Sequence, residues 1–199
     1  NEFAVIAVIA SLTADVKRAY RLGACDCFRL PFVTSILNHR IENAIATHEK
    51  EYRDYLTRAY NRRGFVYMVE RFLNHCEDRT RYGILYFNIK NFKATNELLG
   101  VKEGDCILQS FCKSIERSFL HPVYTARVEA DHFVSFVERD RISLKKLEEF
   151  CNQTFEIYNK KIRVHSCCGI FYLKDENMPV AGMGDRAKFA KQHIVDEYL

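Results

Sequence analysis

Arg127-Val128-Glu129-Ala130-Asp131-His132-Phe133 is the stretch on which the fold turns. Two β-prone runs, residues 123–128 and 133–137, flank the polar Glu129-Ala130-Asp131-His132 and so predict a hairpin. Upstream, residues 82–89 read as a strand, 91–99 as a short helix and 103–119 as a longer one. Phe65, Met68, Val69, Phe72 and Leu73 recur at helical spacing and predict an amphipathic helix over 61–76. Downstream come a helix over 144–158, a strand over 162–173 and a closing helix over 180–194. Strands alternating with helices predict an α/β domain around a central sheet, mixed in direction because of the hairpin, with helices on its flanks.

The N-terminal residues read differently. Phe3-Ala4-Val5-Ile6-Ala7-Val8-Ile9-Ala10 is an apolar run of eight residues, short of the roughly 20 a membrane span needs. It fits a buried parallel strand. A short helix over 13–22 stops at Gly23, a second strand covers 25–29, and Pro31 ends it. From Thr34, Ile36, Leu37, Ile41 and Ile45 recur at helical spacing, and the pattern then turns polar through His48-Glu49-Lys50-Glu51-Tyr52-Arg53-Asp54. A helix that loses its apolar face halfway is leaving one body for another. The boundary is therefore placed near 46–54, giving domains over 1–48 and 49–199 joined by a continuous helix.

Composition bounds the function classes. The chain has 199 residues, about 1.3 domains at roughly 150 residues each. With 48% hydrophobic and 28% charged residues it is an ordinary globule, not a disordered or fibrous chain. Thirty Lys+Arg against 26 Asp+Glu leave +4, too small and too evenly spread to predict a nucleic-acid partner. Arg79-Thr80-Arg81 and Lys160-Lys161-Ile162-Arg163 read as solvated turn and strand-end charges. The eight cysteines include no CxxC pair and no His at zinc-finger spacing, so they read as reduced core thiols of a cytoplasmic protein. No membrane association is expected.

Five stretches then align with one pattern. They are Asp54-Tyr55-Leu56-Thr57 followed by Asn61-Arg62-Arg63-Gly64-Phe65; Phe87-Asn88-Ile89-Lys90-Asn91-Phe92-Lys93-Ala94-Thr95-Asn96; Gly100-Val101-Lys102-Glu103-Gly104-Asp105; the 127–133 stretch; and Gly184-Asp185-Arg186-Ala187-Lys188-Phe189-Ala190-Lys191. In order and spacing they resemble DxLT…NRRxF, DIDxFKxxN, GHxxGD, RYGGDEF and ADxAxYxAK of the GGDEF domains of bacterial cyclic di-GMP signalling. The resemblance covers residues 50–199 and implies the nucleotidyl-cyclase-like α/β fold. The first part resembles the closing third of a response-regulator receiver, a flavodoxin-like βαβα segment. There Leu22-Gly23-Ala24-Cys25-Asp26-Cys27-Phe28-Arg29-Leu30-Pro31-Phe32 stands for LGAxDYxxKPF, with Leu30 in place of the phosphate-contacting Lys. This segment alone is not expected to accept phosphate. The chain starts at Asn1 without Met and is read as a piece of a longer signalling protein.

The resemblance implies site residues one by one. Asn96 and Asp105 would read the guanine edge of GTP, and Lys93 and Lys191 would meet its phosphates. Asp131, Asn88 and the carbonyl of Ile89 occupy the Mg²⁺-binding positions. The departures fall on those same positions. Asn88 replaces the first metal Asp, a neutral amide being a poor ligand for a hard cation. Lys90 replaces the second Asp. Glu129 and Ala130 replace both glycines, His132 replaces the catalytic acid before Phe133, and Val195 stands for an Arg that helps hold the terminal phosphate. Three acids are thereby lost from a two-metal site, so phosphoryl transfer is not expected. Leu120-His121-Pro122-Val123 lacks the Arg and Asp of the family's RxxD product-inhibition motif.

Two readings follow. One is a non-catalytic module that binds GTP weakly, with Mg²⁺ if with any ion, pairs as a homodimer and regulates an adjacent output domain such as a phosphodiesterase. The other is an active diguanylate cyclase with an unusual metal site. A local alternative is that Asn96 and Asp105 are only helix-capping residues and Asp131 only a turn residue.

Overall fold

The computed structural model describes residues 6–9, 13–24, 26–29, 31, 33–174 and 178–196. Two compact units divide the chain, Asn1–Glu51 and Tyr52–Leu199.

In the first unit β1 (Ile6–Ile9) and β2 (Asp26–Arg29) pair in parallel, from Ile6↔Asp26 to Ile9↔Arg29. Helix α1 (Thr13–Arg21) joins them, and Gly23 at φ +94 turns the chain after it, a conformation open to glycine at no steric cost. Helix α2 (Thr34–Tyr52) extends into the polar run that begins at His48, and stops before Arg53 and Asp54. Phe3, Ala4, Val5 and Ala10 of the predicted first strand, and Cys25 and Leu30, lie outside the described residues.

The second unit is built on a five-stranded sheet of order β4-β5-β3-β7-β6. Its elements are α3 (Arg62–Leu73), β3 (Tyr82–Ile89), α4 (Phe92–Leu99), α5 (Val101–Glu116), β4 (Tyr124–Glu129), β5 (His132–Glu138), α6 (Leu144–Phe150), β6 (Asn152–Ile157), β7 (Lys160–Tyr172) and α7 (Val180–Asp196). The α/β architecture is the expected one. Strand direction is not mixed, however: all four pairings are antiparallel, and the parallel component is the isolated bridge Tyr60↔Ala126.

Period-two alternation along β3 sorts the core into two layers. Leu85, Phe87 and Ile89 face α5, packing with Ile107, Leu108, Phe111 and Phe133. Ile84 and Tyr86 face α3 and α7, packing with Phe65, Met68, Val69, Met183 and Ala187. Phe87, Phe111 and Phe133 are fully buried, and truncating such a ring costs about 3–5 kcal/mol. Central β3, anchored on both faces, delivers its last residues to the end of the sheet where the hairpin tip also lies.

One predicted element is corrected. The helix expected over 144–158 stops at Phe150, and residues 152–157 form an edge strand. Phe155 and Ile157 alternate inward against the core, which a period-two pattern satisfies and a helical one does not. Tyr158 and Asn159, at φ 49 and 61, close a two-residue turn onto β7, with Ile157 opposite Lys160.

Candidate functional site

The site forms where the end of β3 meets the tip of the β4–β5 hairpin beside the middle of β7. In register, Asn88 at the end of β3 lies opposite His132 of β5 on one side and Cys167 of β7 on the other. The hairpin tip folds over this point because a register shift between Arg127 and Glu129 tightens it, with Ala130 in a left-handed conformation at φ 31. His132, expected in the turn, is instead the first residue of β5.

The structure brings Asn88, Ile89 and Asp131 together. The Asn88 amide donates to a carboxylate oxygen of Asp131 at 3.0 Å, and the Ile89 N–H donates to the Asp131 carbonyl at 3.3 Å. The Cys167 thiol donates to the Asn88 carbonyl at 3.6 Å. Beside them His132 Nδ1 shares a 2.9 Å hydrogen bond with the Tyr86 hydroxyl. Two carboxylates flank that imidazole, Glu129 at 3.7 Å and Asp131 at 3.9 Å. Lys188 of α7 stands 3.7 Å from Glu129. Burial pushes the Tyr86 phenol up to about 12, and the Glu129 charge adds to it. Phe133 is not part of this network but of the core. Among the described residues no three His, Cys, Asp or Glu side chains gather to hold a metal ion.

A second group lies on α4 and α5. Asn96 sits in mid-α4 with its side-chain oxygen buried against Gly104 of α5, where a Cβ would collide with it, and that oxygen has no hydrogen-bond partner. Asp105 follows Gly104 on α5 and is half-buried. Neither caps a helix: Asn91 and Gly100 hold those positions, and the Gly100 N–H donates to the Asn96 backbone carbonyl. Lys93 is exposed on α4. Lys191 falls on α7, with its side chain outside the described residues, as is that of Val195.

The sequence reading missed what holds the hairpin. Asp54 accepts from the Thr57 N–H at 2.8 Å and its hydroxyl at 2.7 Å, and pairs with the Arg127 guanidinium at 3.3 Å. Arg127 Nε in turn donates to the Ala130 carbonyl at 2.7 Å. The Asp54-x-x-Thr57 spacing signals the local turn, but nothing in it points to an arginine 73 residues away.

The family model described as "Diguanylate cyclase, GGDEF domain" matches residues 51–181. Among curated proteins, the "Biofilm architecture maintenance protein MbaA" of Vibrio cholerae is 34% identical over 89 residues, 40% of this chain and 11% of that protein. The "Bifunctional diguanylate cyclase/cyclic di-GMP phosphodiesterase MucR" of Pseudomonas aeruginosa is 24% identical over 99% of this chain and 30% of its own length. The chain thus spans less than a third of either relative. Among solved structures, the coiled coil and GGDEF domain of DgcB from Caulobacter crescentus, in complex with c-di-GMP, superposes with a TM-score of 0.67 at 18% identity, covering 83% of this chain and 91% of that one. The FimX GGDEF domain of P. aeruginosa gives 0.62 at 16% identity, covering 73% and 94%. At these identities the structures share the fold.

Proposed function

Because the chain belongs to the diguanylate cyclase GGDEF domain family, we propose that it serves cyclic di-GMP signalling as a non-catalytic domain that binds GTP and controls an adjoining output domain. The observation that carries this reading is the Asn88–Asp131 hydrogen bond. A two-metal site needs free carboxylates aimed at a common point. Here the one retained carboxylate is engaged by an amide, the neighbouring position is Lys90, and His132 stands where an acid is needed. The donor set does not fit a pair of divalent ions, so no transfer step is derived through them.

Binding of the base is a separate matter. The buried Asn96 oxygen lacks a donor, and an unpaired buried acceptor costs about 1–3 kcal/mol. The N–H edge of guanine supplies such a donor, with the Asp105 carboxylate as second acceptor. Lys93 and Lys191 would face the phosphates. The module acts in the cytoplasm as a homodimer, with residues 1–48 as the closing portion of a receiver.

A thermal-unfolding titration with GTP tests this. GTP at ten times its Kd stabilises by about 1.4 kcal/mol, equally in Mg²⁺ and in EDTA, and Asn96→Ala abolishes the shift. No cyclic di-GMP accumulates with Mg²⁺ or Mn²⁺. Product whose rate rises with dimer concentration overturns the non-catalytic reading, and an unchanged Asn96→Ala titration overturns the guanine assignment.

A further inference from the structure

Two sequence features find no use in the site above: Lys90, and the basic run Lys160-Lys161-Ile162-Arg163. The sheet brings Lys90 and, from that run, Ile162 and Arg163 to one cavity. The Lys90 N–H donates to the His165 carbonyl at 2.8 Å, extending the β3–β7 ladder past Ile89↔Ser166, so Lys90 lies beside His165, two residues from Arg163. Lys90, Arg163 and His165 all line a cavity of about 370 Å³ between α4, α5 and β7.

We propose that this cavity binds a small anionic amphiphile, an aliphatic body carrying one carboxylate or phosphate. The remaining lining is dominated by aliphatic side chains, Ile89, Ile107, Ile162 and Val164 with Leu98 and Leu99 of α4. The volume falls in the roughly 300–1,000 Å³ range of small-molecule sites, which pair an apolar body with a few polar anchors. No acidic residue lines it, and neither Lys90 nor Arg163 has an ion-pair partner among the described residues. Two uncompensated cations beside an apolar pocket select an anion. No Phe, Tyr or Trp lines the cavity and its one aromatic ring is the His165 imidazole, so the Ile, Leu and Val side chains that dominate the lining match an aliphatic body better than a base. Leu98, 84% exposed, offers the apolar contact that such a body would cover. The cavity is distinct from the guanine position: α4 turns Thr95 and Leu98 toward it and buries the Asn96 oxygen against α5 instead.

The test titrates the full 199-residue chain with decanoate, decyl phosphate and decanol below their aggregation limits, by calorimetry. Saturable one-to-one binding of an acid, roughly tenfold or more tighter than decanol, is the gain one charge-assisted contact supplies; the tighter of the two acids identifies the head group. Lys90→Ala/Arg163→Ala, both exposed positions, removes that preference with the circular dichroism unchanged, and Leu98→Asp weakens the acids by repulsion. GTP does not compete. Equal affinity for decanol, full affinity in the double variant, or displacement by GTP overturns the proposal, and none of these outcomes bears on Asn96.

Discussion

At Asp54 and Arg127 two charged side chains, 14% and 13% exposed, hold the left-handed Ala130 turn in place. Removing one partner of so buried a pair leaves the other uncompensated, so Arg127→Ala is expected to cost roughly 3 kcal/mol; denaturant midpoints measure it, and a loss below half that size contradicts the role. Tyr86 gives a pH signature. Its phenol lies at about 12 in the folded protein, against roughly 10 in an unfolded chain. The neutral form is thus favoured by folding, and its contribution is whole below about pH 10 and drains away between about 10 and 12. In Tyr86→Phe the fall of stability across that window becomes shallower; an unchanged slope rejects the assignment. The departures at Asn88, Lys90 and His132 are legible from sequence, because each stands in a motif frame. Their partners are not: the Tyr86–His132 and Asn88–Asp131 bonds depend on strand register between residues more than 40 apart.

Among elements, the β6–β7 hairpin is the one open to simple improvement. Its turn places two non-glycine residues, Tyr158 and Asn159, at positive φ, a conformation that costs side-chain-bearing residues roughly 1–2 kcal/mol each. Tyr158→Asn with Asn159→Gly, the pair this turn type favours, is expected to stabilise by about 1 kcal/mol, read as a higher thermal midpoint; a lower one excludes the turn assignment. The residues before this hairpin explain why its first strand reads as helix in the sequence. Leu144, Leu147 and Phe150 open a helical period, and without knowing that Cys151 caps the helix, the run into Phe155 and Ile157 reads as its continuation. Strand β3 and the signature hairpin were legible because their apolar alternation is unbroken.

The whole molecule divides into two units, and the family match covers most of the second. What fixes that unit is the layered core, where Cys112 is 1% exposed and burial pushes its thiol up to about 12. Iodoacetamide near neutral pH is therefore expected to spare Cys112 until global unfolding exposes it; labelling at the rate of Cys76 in native protein would show that the layer opens locally. The aromatic side of that core has a further use. Tyr82 stacks on Phe136 at 4.9 Å, and Phe72 meets Tyr82, Tyr124 and Phe136 edge-on at 5.1 to 6.3 Å. The chain holds no tryptophan, so its near-ultraviolet dichroism comes from tyrosine and phenylalanine and is weighted toward rings held as rigidly as these, an optical gauge of the layer facing α3, whereas fluorescence sums over all eleven tyrosines. A tryptophan introduced at exposed Tyr55 would add a second colour, letting events at the surface be timed against the melting of the interior in one cuvette.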